Sequence, residues 1–203
     1  MRYIPGHEGP GVAAYIDAGL DVSYMQPGHK SHARFEYVAY VLGDRDRLNS
    51  IANRYGLDGS VHMRRLGAGR RDRILSGMDL SGAGVSACCI KITRMSTINE
   101  VRVNTSYTHS RVAKSFDLFL FREIASRMEE FIRPYKLELR DVEFQSDADC
   151  DSMLDANRIK HVRPKKAHNL ADAVAWANSH GTPITGVSEV DLADKILAKM
   201  MGG

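Results

Sequence analysis

The sequence predicts an α/β fold, a mixed sheet flanked by helices, and three observations predict it. Short β-rich runs alternate with helical periodicity along the 203 residues. One apolar stripe, Phe116, Leu120, Ile124, Met128 and Phe131, recurs at helical spacing and marks a long helix from Val112 to Ile132. Acidic residues stand where elements begin or end, at Asp17, at Asp147 and Asp149, and at Asp172.

Taken in order, residues 12–17 read as a first strand that Asp17 closes, and residues 35–42 as a second, mixing β-branched and aromatic side chains. The polar, Gly-rich stretch 18–34 between them reads equally as a flap or as an extended hairpin. Asp44 to Tyr55 is a helix with Leu48, Ile51 and Ala52 on one face and Gly56 as its stop. A short helix from Asp72 to Met78 follows an Arg-rich loop, and Val85 to Ile92 is the third strand. Residues 93–110 are ambiguous: Val101 and Val103 alternate with Arg102 and Asn104, which leaves a further edge strand open. Pro134 closes the long helix. A strand at 142–145, an acidic segment to Asp155, a short strand at 160–163 and a helix from His168 to Ser179 come next. Ser188-Glu189-Val190-Asp191 fits a capping box opening a last helix that runs to about Met200. The early strands pair antiparallel and the later ones parallel through helical crossovers.

Composition excludes several classes. No apolar run approaches the ~20 residues that span a bilayer, and residues 1–11 lack the apolar core of a signal peptide, so a cytoplasmic protein without membrane contact is expected. Cys88, Cys89 and Cys150 form no Cys-x-x-Cys pair, so neither a disulfide framework nor a thiolate zinc site is indicated. A formal charge of +3 does not by itself imply nucleic acid. Its distribution is more informative. Arg64, Arg65, Arg70 and Arg71 crowd around Gly67-Ala68-Gly69, and Lys165 and Lys166 stand shortly before Asp172. Basic clusters beside acidic ligands suit a phosphodiester substrate, and a solvated basic surface accounts for them equally well.

Hard divalent cations take oxygen ligands, so carboxylates from separate elements make a candidate Mg²⁺ or Mn²⁺ site. Asp17, Asp147, Asp149 and Asp172 are the candidates. Each also has an ordinary structural account, as a turn residue, a loop or a helix start. His29 and His32 form His-x-x-His in a Gly/Pro-flanked segment, and His7, His62, His109, His161, His168 and His180 are scattered, so a histidine-based metal site has only a weak signal. No Gly-x-Ser-x-Gly elbow or P-loop occurs.

Three motifs resemble the ribonuclease H-like superfamily. They are a first strand with Tyr15-Ile16-Asp17-Ala18-Gly19, a later one ending Phe144-Gln145-Ser146-Asp147-Ala148-Asp149, and a late helix with Asn169-Leu170-Ala171-Asp172-Ala173-Val174-Ala175. The layout is similar to an uncharacterised branch of that superfamily with first motif Ile-Asp-Glu-Ser-Gly and last motif Leu-Ala-Asp. The segment from Val61 to Leu75 is similar to that branch's basic segment. The first motif here lacks the Glu and Ser. The resemblance implies a ribonuclease H-like mixed sheet over residues 1–203 as one domain, with a basic helical insertion around 56–80 and a C-terminal helix at 188–201.

It further implies metal-dependent phosphodiester hydrolysis in nucleic acid (RNA, hybrid or DNA unresolved), with Asp17, Asp147 or Asp149, and Asp172 as ligands. His161, eleven residues before Asp172, stands near where type I ribonucleases H carry a mobile histidine. For the glutamate of the helix after the third strand, Glu123 has roughly the right spacing, and Asp117 and Glu100 compete with it. Arg64, Arg65, Arg70, Arg71, Lys165 and Lys166 would hold the substrate. The alternative is a catalytically degenerate nucleic-acid-binding or adaptor module on the same fold. Oligomeric state is not indicated.

Overall fold

The computed structural model describes residues 15–24, 35–59 and 61–202. Residues 12–14 of the expected first strand, His7, and the His29-x-x-His32 pair lie outside them. Six strands form one sheet: β1 (Ile16–Tyr24), β2 (Glu36–Asp44), β3 (Val85–Ile92), β4 (Val142–Gln145), β5 (His161–Val162) and β6 (Ser188–Asp191). The helices are α1 (Arg45–Arg54), α2 (Ala68–Gly77), α3 (Arg94–Asn104), α4 (His109–Ile132), α5 (Ala148–Ala156), α6 (Lys166–Ser179) and α7 (Ala193–Met201). Across the sheet the order is β5-β4-β1-β2-β3-β6. β1, β2 and β3 pair antiparallel, while β4 is parallel to β1, β5 to β4, and β6 to β3. This is the expected α/β mixed sheet, with early antiparallel and later parallel pairing.

Each face of the sheet carries its own core. Ile16, Ala18 and Leu20 of β1, Val38 and Tyr40 of β2, and Phe144 of β4 pack against Phe116, Leu120, Ile124 and Met128 of α4. The opposite face presents Ala39, Val41, Ala87 and Cys89 to α6, which in turn packs beneath Leu48, Ile51 and Ala52 of α1. Helix α6 is thus covered on both sides. From Ala167 to Ala175 every residue is buried, as expected of a helix apolar around its circumference. His168, Asn169 and Asp172 are the polar residues caught in that stretch.

Close approach of α6 requires small residues beneath it. At Gly19, a Cβ would lie 1.9 Å from the Ala167 carbonyl oxygen and 2.4 Å from the His168 nitrogen, both backbone atoms. The glycine is therefore there for space. It is not the tight turn that Ala18-Gly19 suggests in the sequence.

Several elements differ from expectation for identifiable reasons. The first strand does not end at Asp17. It runs on to Tyr24, with Ile16, Ala18 and Leu20 on one face and Asp17, Gly19 and Asp21 on the other. Residues 94–104 are helix α3 and not an edge strand, because Thr97, Ile98 and Val101 are buried at helical spacing while Val103 is 85% exposed. Ser188–Asp191 is strand β6, pairing with Cys88–Lys91 of β3, and Ser188 Oγ donates to the Ala87 carbonyl at 3.2 Å. The last helix starts only at Ala193. The acidic segment after β4 is helix α5, whose N-cap is Asp147 itself.

Candidate metal centre

β1 and β4 lie side by side and parallel, with Gly19 opposite Gln145. The chain leaving β4 therefore emerges beside Asp21, and α6 crosses above. Asp21, Asp147 and His168 come together there: each offers one ligand atom, and these atoms all lie within 4.8 Å of one another. His168 Nε2 stands 3.3 Å from Asp21 Oδ1 and 3.9 Å from Asp147 Oδ2. Asp147 divides its work. Its Oδ1 accepts the Asp149 backbone N–H at 3.0 Å, capping α5, while Oδ2 turns toward His168.

His168 is fully buried, and neither ring nitrogen has a hydrogen-bond partner. Burial pushes its pKa down, against the pull of Asp147 and Asp172, so the ring is held toward the neutral form. A buried imidazole facing carboxylates without hydrogen bonds leaves costly unsatisfied polar atoms. A cation held by the Nε2 lone pair and one oxygen each of Asp21 and Asp147 would give that buried nitrogen a partner. The donor set, two carboxylates and an imidazole, fits a divalent metal ion.

Asp172 lies one turn beyond His168 on α6. Its Oδ2 accepts the Met63 backbone N–H at 2.7 Å and lies 3.8 Å from His62 Nδ1. The His62 and His168 rings meet edge-on, with centroids 5.8 Å apart. Burial, then the charge of Asp21, pushes the Asp172 pKa up to about 7, against the lowering by Met63 N–H and the histidines. A raised folded-state value stabilises the fold fully below the ordinary value of 3.8, and that contribution is lost as pH rises to about 7. Metal-free protein should therefore lose stability, by at most about 4 kcal/mol, as pH climbs through this window. Urea unfolding at several pH values, compared with Asp172→Asn, checks this: the variant should show a flatter profile over that range.

The other expected site residues are placed elsewhere. Asp17 is buried and bound to Arg45, whose Nε lies 3.0 Å from both carboxylate oxygens and whose Nη2 lies 2.8 Å from Oδ1. Burial raises the Asp17 pKa and Arg45 opposes the rise. Gln145 Nε2 donates to Asp17 at 2.9 Å, and its Oε1 accepts the Ala167 N–H at 3.1 Å, so this corner pins the start of α6 to the sheet. Asp149 sits in the first turn of α5, outside the three-residue group. His161 contacts Asp151 and Asp155 of α5 and Ser146, at 3.2–3.3 Å. Glu123 is paired with Lys195 and Lys199 of α7, and Asp117 with Arg94, which also meets Glu36. Neither acid of α4 is part of the metal group.

Among the basic residues, Arg64, Arg65 and Arg70 are exposed. Met63, which hydrogen-bonds to Asp172, is the immediate neighbour of Arg64 in a 3₁₀ turn, so this basic surface adjoins the acidic pocket. Arg71 is drawn over the Trp176 ring and toward the Met63 and Leu66 carbonyls. Lys165 pairs with Glu143 at 2.9 Å, and Lys166 donates to Asn53 at 2.6 Å. Asn169 ties the same region down, donating to the Leu57 and Gly59 carbonyls at 2.8 and 2.7 Å.

Asp21 and His168 are the residues that sequence reasoning did not place in the site. Both carried a signal: Asp21 follows Asp17 and Gly19 on one strand face, and His168 precedes Asp172 by one helical turn.

No family model matches the chain, and no curated protein matches it. Among solved structures, a chain of the PCNA:RNase HII complex from Archaeoglobus fulgidus aligns over 93% of this chain and 79% of its own, at 16% identity and a TM-score of 0.43. Likeness of that degree does not fix the chemistry of the pocket. No helix among the described residues is long and apolar enough to cross a membrane.

Proposed function

We propose that this chain is a divalent-metal-dependent nuclease, hydrolysing phosphodiester bonds in nucleic acid. The observation that carries the proposal is the buried His168 imidazole, without a hydrogen bond at either ring nitrogen, facing Asp21 and Asp147. Asp21, Asp147 and His168 would hold the ion, with Asp172 beside them. A bound divalent ion supplies Lewis acidity toward a phosphoryl oxygen and acidifies water near neutral pH. The protein's own groups do the rest. Gln145 and Gly19 fix the height of α6 over β1 and so the position of His168. Asp172 stands beside the ion's ligands, and the half-buried His62, 3.8 Å from it, links it toward the surface. The exposed Arg64, Arg65 and Arg70 would bind phosphates of an extended substrate, so affinity should fall with salt.

One observation favours a second reading, a nucleic-acid-binding module with a reduced site. The acids of α4 that would complete a larger carboxylate set are paired with Arg94 and with Lys195 and Lys199. Assays on labelled RNA, hybrid and single-stranded DNA with Mn²⁺ or Mg²⁺ separate the two. The nuclease proposal expects cleavage that chelator abolishes and that Asp147→Asn, at a partly exposed position, lowers by about a hundredfold or more. Binding without cleavage under every ion would select the module. Equal cleavage by Asp147→Asn would refute the proposed site.

A further inference from the structure

We propose that the pocket selects a first-row transition ion over Mg²⁺, and that His168 is the residue that makes the choice. This rests on the metal-site reading above and adds the identity class of the ion. Three observations carry it.

The first is the donor set. One of the three converging groups is an imidazole nitrogen and two are carboxylates. Mg²⁺ favours oxygen donors, whereas imidazole suits the later, more polarisable divalent ions. The second is the depth of the nitrogen. His168 has 0% side-chain exposure, while the Asp147 side chain retains 27%. An ion seated here gives up water on the His168 side and keeps it only toward Asp147. Mg²⁺ dehydrates reluctantly and usually keeps several waters, so burial of this face disfavours it further. The third is that the imidazole has no alternative occupation. Neither ring nitrogen makes a hydrogen bond, and the nearest groups to Nε2 are the Asp21 and Asp147 carboxylates that would share the ion, so coordination breaks no hydrogen bond of the imidazole.

An all-oxygen site at this place in the fold would need a carboxylate where His168 stands. Asp172, the acid one turn along α6, accepts the Met63 N–H at 2.7 Å through Oδ2. The nearest substitute for the nitrogen is therefore committed elsewhere.

The experiment is a calorimetric titration of the full chain with Mn²⁺ and, separately, Mg²⁺, joined to pulsed EPR of the Mn²⁺-loaded protein. Mn²⁺ should bind at least about tenfold tighter than Mg²⁺, and the EPR spectrum should show hyperfine coupling to a directly bound nitrogen. His168→Glu, which restores an oxygen donor of similar reach, should bring the two affinities to near parity and remove that coupling. Should the variant not fold, the nitrogen coupling in the wild-type protein decides alone. Equal affinities with no nitrogen coupling would overturn the inference and leave a carboxylate site standing. Binding of neither ion would overturn both the inference and the metal-site proposal beneath it.

Discussion

Asp21→Asn is expected to weaken divalent-ion binding by at least about a hundredfold, and cleavage with it. Groups that merely support a metal ligand cost 10- to 100-fold when removed, so loss of a direct ligand should reach at least the top of that range. Asp21 is also central in position: it faces His168 at 3.3 Å, and its charge is the second-largest cause of the raised Asp172 pKa. Its removal has a different effect on the metal-free fold. A buried anion disappears from beside two other acids, the repulsion on Asp172 is relieved, and the asparagine is nearly isosteric. Metal-free Asp21→Asn should therefore keep the fold, with the Asp172 pKa lowered, while the rise in melting temperature on adding Mn²⁺ is lost. This split between stability and binding is the mark of a functional site. Thermal melts with and without Mn²⁺, alongside a binding titration, measure both halves. A variant that is simply destabilised and still binds the ion would assign Asp21 a structural role.

Gly19→Ala is expected to be strongly destabilising. The added Cβ would meet the Ala167 oxygen at 1.9 Å, the Ala167 carbonyl carbon at 2.1 Å and the His168 nitrogen at 2.4 Å. All are backbone atoms, so no side-chain rotation relieves the clash. Either α6 lifts from β1 or the strand is pushed away, and the helix is packed from the other side by α1. Overpacking typically costs 1–3 kcal/mol, and the rigidity of this contact puts the expected loss at about 3 kcal/mol or more. The displaced start of α6 carries His168 with it, so ion affinity should fall in whatever protein still folds. Denaturant unfolding and a Mn²⁺ titration check the two effects. A loss below about 0.5 kcal/mol, the range of ordinary surface changes, would show that α6 does not depend on this contact.

Much of the framework could be read from side-chain periodicity, because periodicity reports burial. The Phe116–Met128 stripe gave α4, and the β-branched run at Val85–Ile92 gave β3. The first strand was harder. Ala18-Gly19 has the composition of a turn, and only the tertiary contact with Ala167 shows that Gly19 serves helix packing. Reading a strand end at Asp17 left Asp21 inside an apparent connecting stretch, whereas Asp17 is bound by Arg45 in the folded chain. Val101 and Val103 alternate like a strand, yet only Val101 is covered. At the site, Asp147 and Asp172 stood out through the motifs around them. His168 did not, because a histidine in an alanine-rich helix looks like packing until the carboxylates facing it are known. Glu123 and Asp117 could not be resolved from spacing, since their partners Lys195, Lys199 and Arg94 are assigned only by the folded arrangement.

The most direct test is anomalous diffraction from crystals grown with Mn²⁺. A single strong peak within coordination distance of Asp21, Asp147 and His168 Nε2 is the expected result. A map with no peak there, or with manganese only on exposed acids such as Asp155 or Glu138, would contradict the proposal that these residues form a metal centre.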